Sequence, residues 1–163
     1  MQEVPEFWRT EIWHPLSVHL PVALLLVATF FKLFERILKK EYLNKGGNIL
    51  LLIGVIGAWA AIYTGDLADG VVGRKICDPT VLKSHENASY TTTWLFTSAF
   101  VTVIILSAGF IKKFRGLIMW IVVLLMFTGS GFLLYTGHLG AELVYQQGAG
   151  VYHPSGDCGE FGN

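Results

Sequence analysis

Leu117-Ile118-Met119-Trp120-Ile121-Val122-Val123-Leu124-Leu125-Met126-Phe127-Thr128-Gly129-Ser130-Gly131-Phe132-Leu133-Leu134-Tyr135-Thr136-Gly137 contains no charged residue. A helix needs ~20 apolar residues to cross ~30 Å of hydrocarbon, so this stretch reads as a transmembrane span. Three further stretches, 88–111, 49–64 and 16–31, share its character, the last continuing past Lys32 through Leu33 and Phe34. The sequence therefore predicts an all-α, polytopic four-helix membrane bundle. Its spans are expected at about 15–36, 48–66, 88–111 and 116–138, followed by a tail over 139–163, the whole of 1–163 forming one membrane domain. Gly54, Gly57 and Ala58 put small residues on the second span, where lipid supplies no hydrophobic drive and close backbone approach does the packing.

Composition agrees with this reading. The 163 residues are 53% hydrophobic and 15% charged, with a mean hydropathy of +0.52, which excludes disorder and disfavours a water-soluble domain. Twelve Lys and Arg balance twelve Asp and Glu, so no basic surface for nucleic acid is expected. Phosphate loops and a Gly-x-Ser-x-Gly nucleophile motif are absent, and no internal repeat is evident.

Charge placement orients the chain. Lys32, Arg36, Lys39, Lys40 and Lys45 lie between spans one and two, and Lys112, Lys113 and Arg115 between three and four. Only Arg9, Arg74, Lys75 and Lys83 lie on the opposite side, together with all the acids except Glu35 and Glu41. Cytoplasmic loops retain Lys and Arg, which puts both termini on the outer, periplasmic side of a bacterial inner membrane. No basic n-region or cleavage site marks a removable signal peptide. Cys77 and Cys158 both fall on the outer side, where oxidising chemistry allows a disulfide between loop and tail; neither belongs to a Cys-x-x-Cys-His sequence, so covalent c-type haem attachment is excluded. Phe7, Trp8, Trp13, Trp94 and Tyr135 suit interfacial anchoring.

All five histidines fall on that same outer side. At ~1.5 Å per residue, His19 stands ~20 Å and His14 ~27 Å above Lys32, and His138 ~34 Å above Arg115. His14, His19 and His138 thus share one layer, with His85 capping it. Residues five apart on a helix point ~140° apart, so His14 and His19 do not bind one ion side by side. Pro15 suits a first helical position, while Pro21 frees the carbonyl of Ser17. Gly137 and Gly140 flank His138 and leave room for something flat or bulky. Asp66, Asp69 and Glu86 are candidates to orient histidines.

Clustered imidazoles at one end of an apolar bundle suit haem iron or a bare metal ion. The sharpest reading is one or two haem b groups held by His14, His19, His85 and His138, with Gly137 and Gly140 lining the pocket and Arg9, Arg74 or Lys83 near propionates. Alternatives are a zinc or iron ion on the same four histidines, or an anchoring subunit of a larger respiratory or transport complex whose histidines only hydrogen-bond. His153 reads as an interfacial hydrogen-bonding residue. With Met1, Met119 and Met126 all away from the cluster, copper is disfavoured.

Two motifs carry a resemblance. His14-Pro15-Leu16-Ser17-Val18-His19-Leu20-Pro21 follows the pattern His-Pro-x-x-Val-His-x-Pro, and Thr136-Gly137-His138-Leu139-Gly140-Ala141-Glu142-Leu143-Val144-Tyr145 follows Thr-Gly-His-x-Gly-x-x-Leu-Val-Tyr. The sequence resembles a bacterial family of four-span membrane proteins of unknown function (DUF2231-like), with His85 matching the histidine before its third span. Association of relatives with c-type cytochromes implies an electron-transfer setting and a non-covalent b-type haem. It also implies a c-type cytochrome or another respiratory-chain component as partner, the quinone pool as a further candidate, and an electron-transfer component rather than a stand-alone enzyme. Many relatives carry another histidine in a Gly-His-Gly-Val-Gly-like run, where this chain has Gln146-Gln147-Gly148-Ala149-Gly150-Val151.

Overall fold

Helix-forming apolar runs separated by short basic or Gly/Pro-containing connections become an up-down-up-down array. The computed structural model describes residues 5–109 and 111–153. Among the described residues a 3-10 turn, Thr10–Ile12, leads into four α-helices and no strand: α1 Trp13–Leu38, α2 Glu41–Val72, α3 Pro79–Ser107 and α4 Arg115–Tyr145. All four are long and apolar enough to cross a membrane. Leu124, Leu134 and Ile56 are among many large apolar residues left exposed on their outer faces, as befits helices whose surroundings are lipid rather than water.

Local chemistry sets the ends. Lys39 adopts a left-handed conformation (φ 53) that closes α1 just before α2 begins. Asp78 caps α3 by accepting from the backbone N–H of Thr80 at 2.9 Å, with Pro79 in the first position, where its missing N–H is no loss. Those two hydrogen bonds from Thr80, one from its hydroxyl and one from its backbone, hold the Asp78 carboxyl below the usual carboxylate range. At the other end α3 stops at Ser107, short of the expected Ile111, because Gly109 turns the chain at φ 80. Cys77 is exposed; Cys158, its proposed disulfide partner, lies outside the described residues.

The core is built from side chains that fill gaps left by glycine. Leu25, Leu51, Phe96, Val122 and Met126 are wholly buried. A Cβ on Gly54 would sit 2.6 Å from Leu25 Cδ2, one on Gly57 3.3 Å from Pro21, and one on Gly129 2.9 Å from Phe96. The small residues expected to bring helices together on the second span do so, and Gly129 does the same on the fourth.

Contrary to the reading of the sequence, the packing contains an internal repeat. Hairpin α1–α2 and hairpin α3–α4 share one register: His14 is to Leu25 as His85 is to Phe96, while Gly54, Ala61 and Gly65 of α2 correspond to Gly129, Thr136 and Gly140 of α4. His14 bonds to the carbonyl of Ala61 and packs on Gly65; His85 bonds to the carbonyl of Thr136 and packs on Gly140. Leu25 fills the space at Gly54, and Phe96 fills it at Gly129. The pattern Tyr-Thr-Gly-x-Leu does occur twice, at 63–67 and 135–139, but it lies three residues, close to one turn, out of this register. Few other positions coincide, which hides the repeat from the sequence. Within each hairpin the helices pack closely along their length, whereas the two hairpins meet more sparsely.

Candidate functional site

The starts of α1 and α3 and the ends of α2 and α4 share one end of the bundle, and two histidines meet there. His14 and His85, equivalent residues of the two hairpins, approach with ring centres 6.0 Å apart and planes at 88°. Each is tied to its own hairpin. His14 Nδ1 lies 3.0 Å from the carbonyl oxygen of Ala61, and His85 Nδ1 lies 3.1 Å from that of Thr136. A carbonyl only accepts, so both Nδ1 atoms carry the hydrogen. In the neutral rings this leaves each Nε2 with a free lone pair, the arrangement found in metal-ligating histidines whose other nitrogen is fixed by a backbone carbonyl.

The rings can reach those carbonyls because of two glycines. A Cβ on Gly65 would meet His14 at 3.2 Å, and one on Gly140 would meet His85 at 3.3 Å. Gly140 thus makes room for an imidazole, while a Cβ on Gly137 would meet open space. Hydroxyls lie just inward of the pair. Ser17 Oγ donates to the carbonyl of His14 and lies 2.8 Å from Thr64 Oγ1, and on the other hairpin Ser89 donates to the carbonyl of His85 while Thr92 lies 3.3 Å from Thr136.

His19 and His138 are placed differently, both on exposed faces of their helices. The wide angular separation of His14 and His19 therefore appears as one half-buried ring turned toward α2 and one ring outside. His153 packs beside Gly148, 3.1 Å from where its Cβ would be. Of the carboxylates considered as orienting groups, Asp66 accepts from Tyr90 at 3.3 Å and Glu86 pairs with Lys83 at 2.6 Å, and neither these nor Asp69 makes a hydrogen bond to a histidine among the described residues. Backbone carbonyls take the orienting role instead, and every helix supplies carbonyls, so no sequence signal marks them. Arg9 pairs with Glu11 at 3.2 Å. No group of three or more His, Cys, Asp and Glu suited to a metal ion occurs among the described residues; the histidine cluster resolves into a pair.

Residues 12–153 match a family described as predicted membrane protein (DUF2231). The chain belongs to this family. No curated protein and no solved structure matches it. The family description, a predicted membrane protein, agrees with the four helices long and apolar enough to cross a membrane, and both motifs that carried the resemblance fall within the matched residues.

The opposite end of the bundle holds a group that the sequence reading used only as a topological marker. Lys32 is wholly buried. Its stem lies on Gly47, 3.4 Å from where a Cβ would stand, and its Nζ donates to Asn44 Oδ1 at 2.9 Å and to Asn48 Oδ1. A lysine counted with the loop is instead an interior residue, and the Asn-x-x-Gly-Asn spacing at 44–48 is the signal that accompanies it.

Proposed function

We propose that this protein is a membrane b-type cytochrome-like electron-transfer component in which His14 and His85 would hold one haem at the outer end of the bundle. The single observation that carries the reading is the His14–His85 pair. Their ring centres stand 6.0 Å apart with planes at 88°, and each neutral ring keeps an Nε2 lone pair with which it would hold the group. The donor set suits iron: two neutral imidazoles, each oriented through Nδ1, with no competing carboxylate bonded to either ring. Sparse packing between the hairpins, compared with the close packing inside each, supports a group held between them.

When bound, haem supplies one-electron exchange. The chain's own residues hold and orient. Ala61 and Thr136 fix the two rings through their carbonyls, Gly65 and Gly140 let the rings lie against α2 and α4, and the apolar core beneath keeps the site at one end. Basic residues concentrate at the far end, so by the positive-inside rule the pair faces the periplasm, within reach of a c-type cytochrome or another respiratory-chain partner. Quinone is a further candidate donor.

Substitution separates the ligands. His14→Leu and His85→Leu should each abolish low-spin haem while leaving helix content unchanged; His19→Leu and His138→Leu, on exposed faces, should retain it. Full haem retention in both His14→Leu and His85→Leu would overturn the assignment. A bare zinc or iron ion between the same two rings would show as metal without porphyrin in elemental analysis.

A further inference from the structure

Lys32 bonds to both Asn44 and Asn48 at the basic end of the bundle, in positions where the other hairpin has only apolar side chains. In the shared packing register their counterparts are Val103, Met119 and Val123, each buried. The fold is thus satisfied at these three places without polar groups, and the first hairpin departs from that solution at all three together. Burying an ammonium is costly and marks a functional site by default in a membrane protein.

The arrangement has a direction. Both carboxamide oxygens are turned onto Lys32 Nζ, so the two NH2 groups, on residues that are only partly buried, have no partner among the described residues. Two amide donors therefore lie beside an enclosed positive charge that, among the described residues, no carboxylate meets in a hydrogen bond. Nearby charges are of both signs. Arg36, one turn along α1, has a buried Nε without a partner and its guanidinium 5.6 Å from the Trp120 ring centre; Arg115 donates to the carbonyl of Leu106 at 3.2 Å. Lys45 is paired with Glu41 at 2.8 Å, and Glu35, one turn along α1 from Lys32, has a buried Oε2 that accepts no hydrogen bond among the described residues and acts on the lysine through space. Donors backed by a cation receive an oxyanion. Counting Lys and Arg puts this end at the cytoplasmic leaflet, whose anionic lipids are drawn to basic pockets between helices.

We infer that Lys32, Asn44 and Asn48 form a receptor for the phosphate of an anionic phospholipid head group in the inner leaflet. The two amides donate to phosphate oxygens and the lysine supplies the charge behind them.

Native mass spectrometry of the full chain in detergent tests this, with phosphatidylglycerol, phosphatidylcholine and inorganic phosphate as the probes. The wild type should hold one phosphatidylglycerol about tenfold or more tightly than phosphatidylcholine, and Lys32→Met should erase that preference while circular dichroism stays unchanged. Should Lys32→Met fail to fold, Asn44→Ala/Asn48→Ala, which keeps the lysine, should erase it too. Unchanged preference in either folded variant, or equal binding of the two lipids by the wild type, would overturn the inference. Displacement of phosphatidylglycerol by inorganic phosphate at equal concentration would overturn the lipid as the source of the anion.

Discussion

His14 and His85 face each other across the two hairpins with ring centres 6.0 Å apart, each held from behind by a carbonyl of its own hairpin's second helix. Neither ring depends on the other for its orientation. The pair is therefore set by how the hairpins dock, and each ring by the local register of one hairpin.

The glycines behind the rings make that arrangement testable. A Cβ at Gly65 or Gly140 would stand 3.2 or 3.3 Å from an imidazole, and the further methyls of valine displace the ring from its carbonyl. Gly65→Val and Gly140→Val should each cost roughly 1–3 kcal/mol and, on the proposed function, should each lose the visible haem absorbance. Gly137→Val, with nothing within 4 Å of its Cβ position, should lose neither. Thermal unfolding and visible absorbance in detergent read both effects.

The repeat predicts paired behaviour in the core. Gly54→Ala meets Leu25 at 2.6 Å and Gly129→Ala meets Phe96 at 2.9 Å, so both should destabilise, by about 1–3 kcal/mol each. Gly131→Ala meets nothing within 4 Å and should be neutral or stabilising by up to about 1 kcal/mol through helix propensity. Unfolding in mixed micelles distinguishes the three.

Four spans were legible because a helix in lipid must be apolar nearly throughout, and that property is local. The end-to-end gathering of histidines was legible for the same reason, being a matter of count and depth. Which histidines turn inward was not, since α1 is apolar on both faces and His14 and His19 look alike without knowledge of where α2 packs. Lys32 misled because a charge near a span end reads as loop; only the Gly47 notch and the two asparagines on α2 take it inside. The repeat was hidden because packing register follows Gly54 and Gly129, not the repeated Tyr-Thr-Gly-x-Leu pattern.

Trp59 joins α2 to α3 by donating from Nε1 to Thr97 Oγ1 at 3.1 Å, with Trp94 edge-on at 5.1 Å. Trp59→Phe keeps an aromatic ring but removes the donor. The expected loss is about 0.6 kcal/mol, typical of side-chain hydrogen bonds between membrane helices, and Thr97→Val should cost no more when added to it. A double-mutant cycle measures the coupling.

Asp78 gives a pH dependence of known sign. Its carboxyl is held low by Thr80, so the cap's contribution is present above the unfolded carboxylate pKa of about 3.9 and is lost as pH falls through the lower folded value. Asp78→Ala should lower the melting temperature at pH 7, and the gap from the wild type should close on acidification below that range. A gap independent of pH would contradict the cap's ionic character.

The most direct test of the central claim is the visible spectrum of the detergent-purified protein from haem-replete cells, oxidised and then reduced with dithionite. A Soret band that shifts on reduction, with sharp α and β bands that vanish in His14→Leu and His85→Leu, is the predicted result. A featureless spectrum from fully folded protein would contradict it.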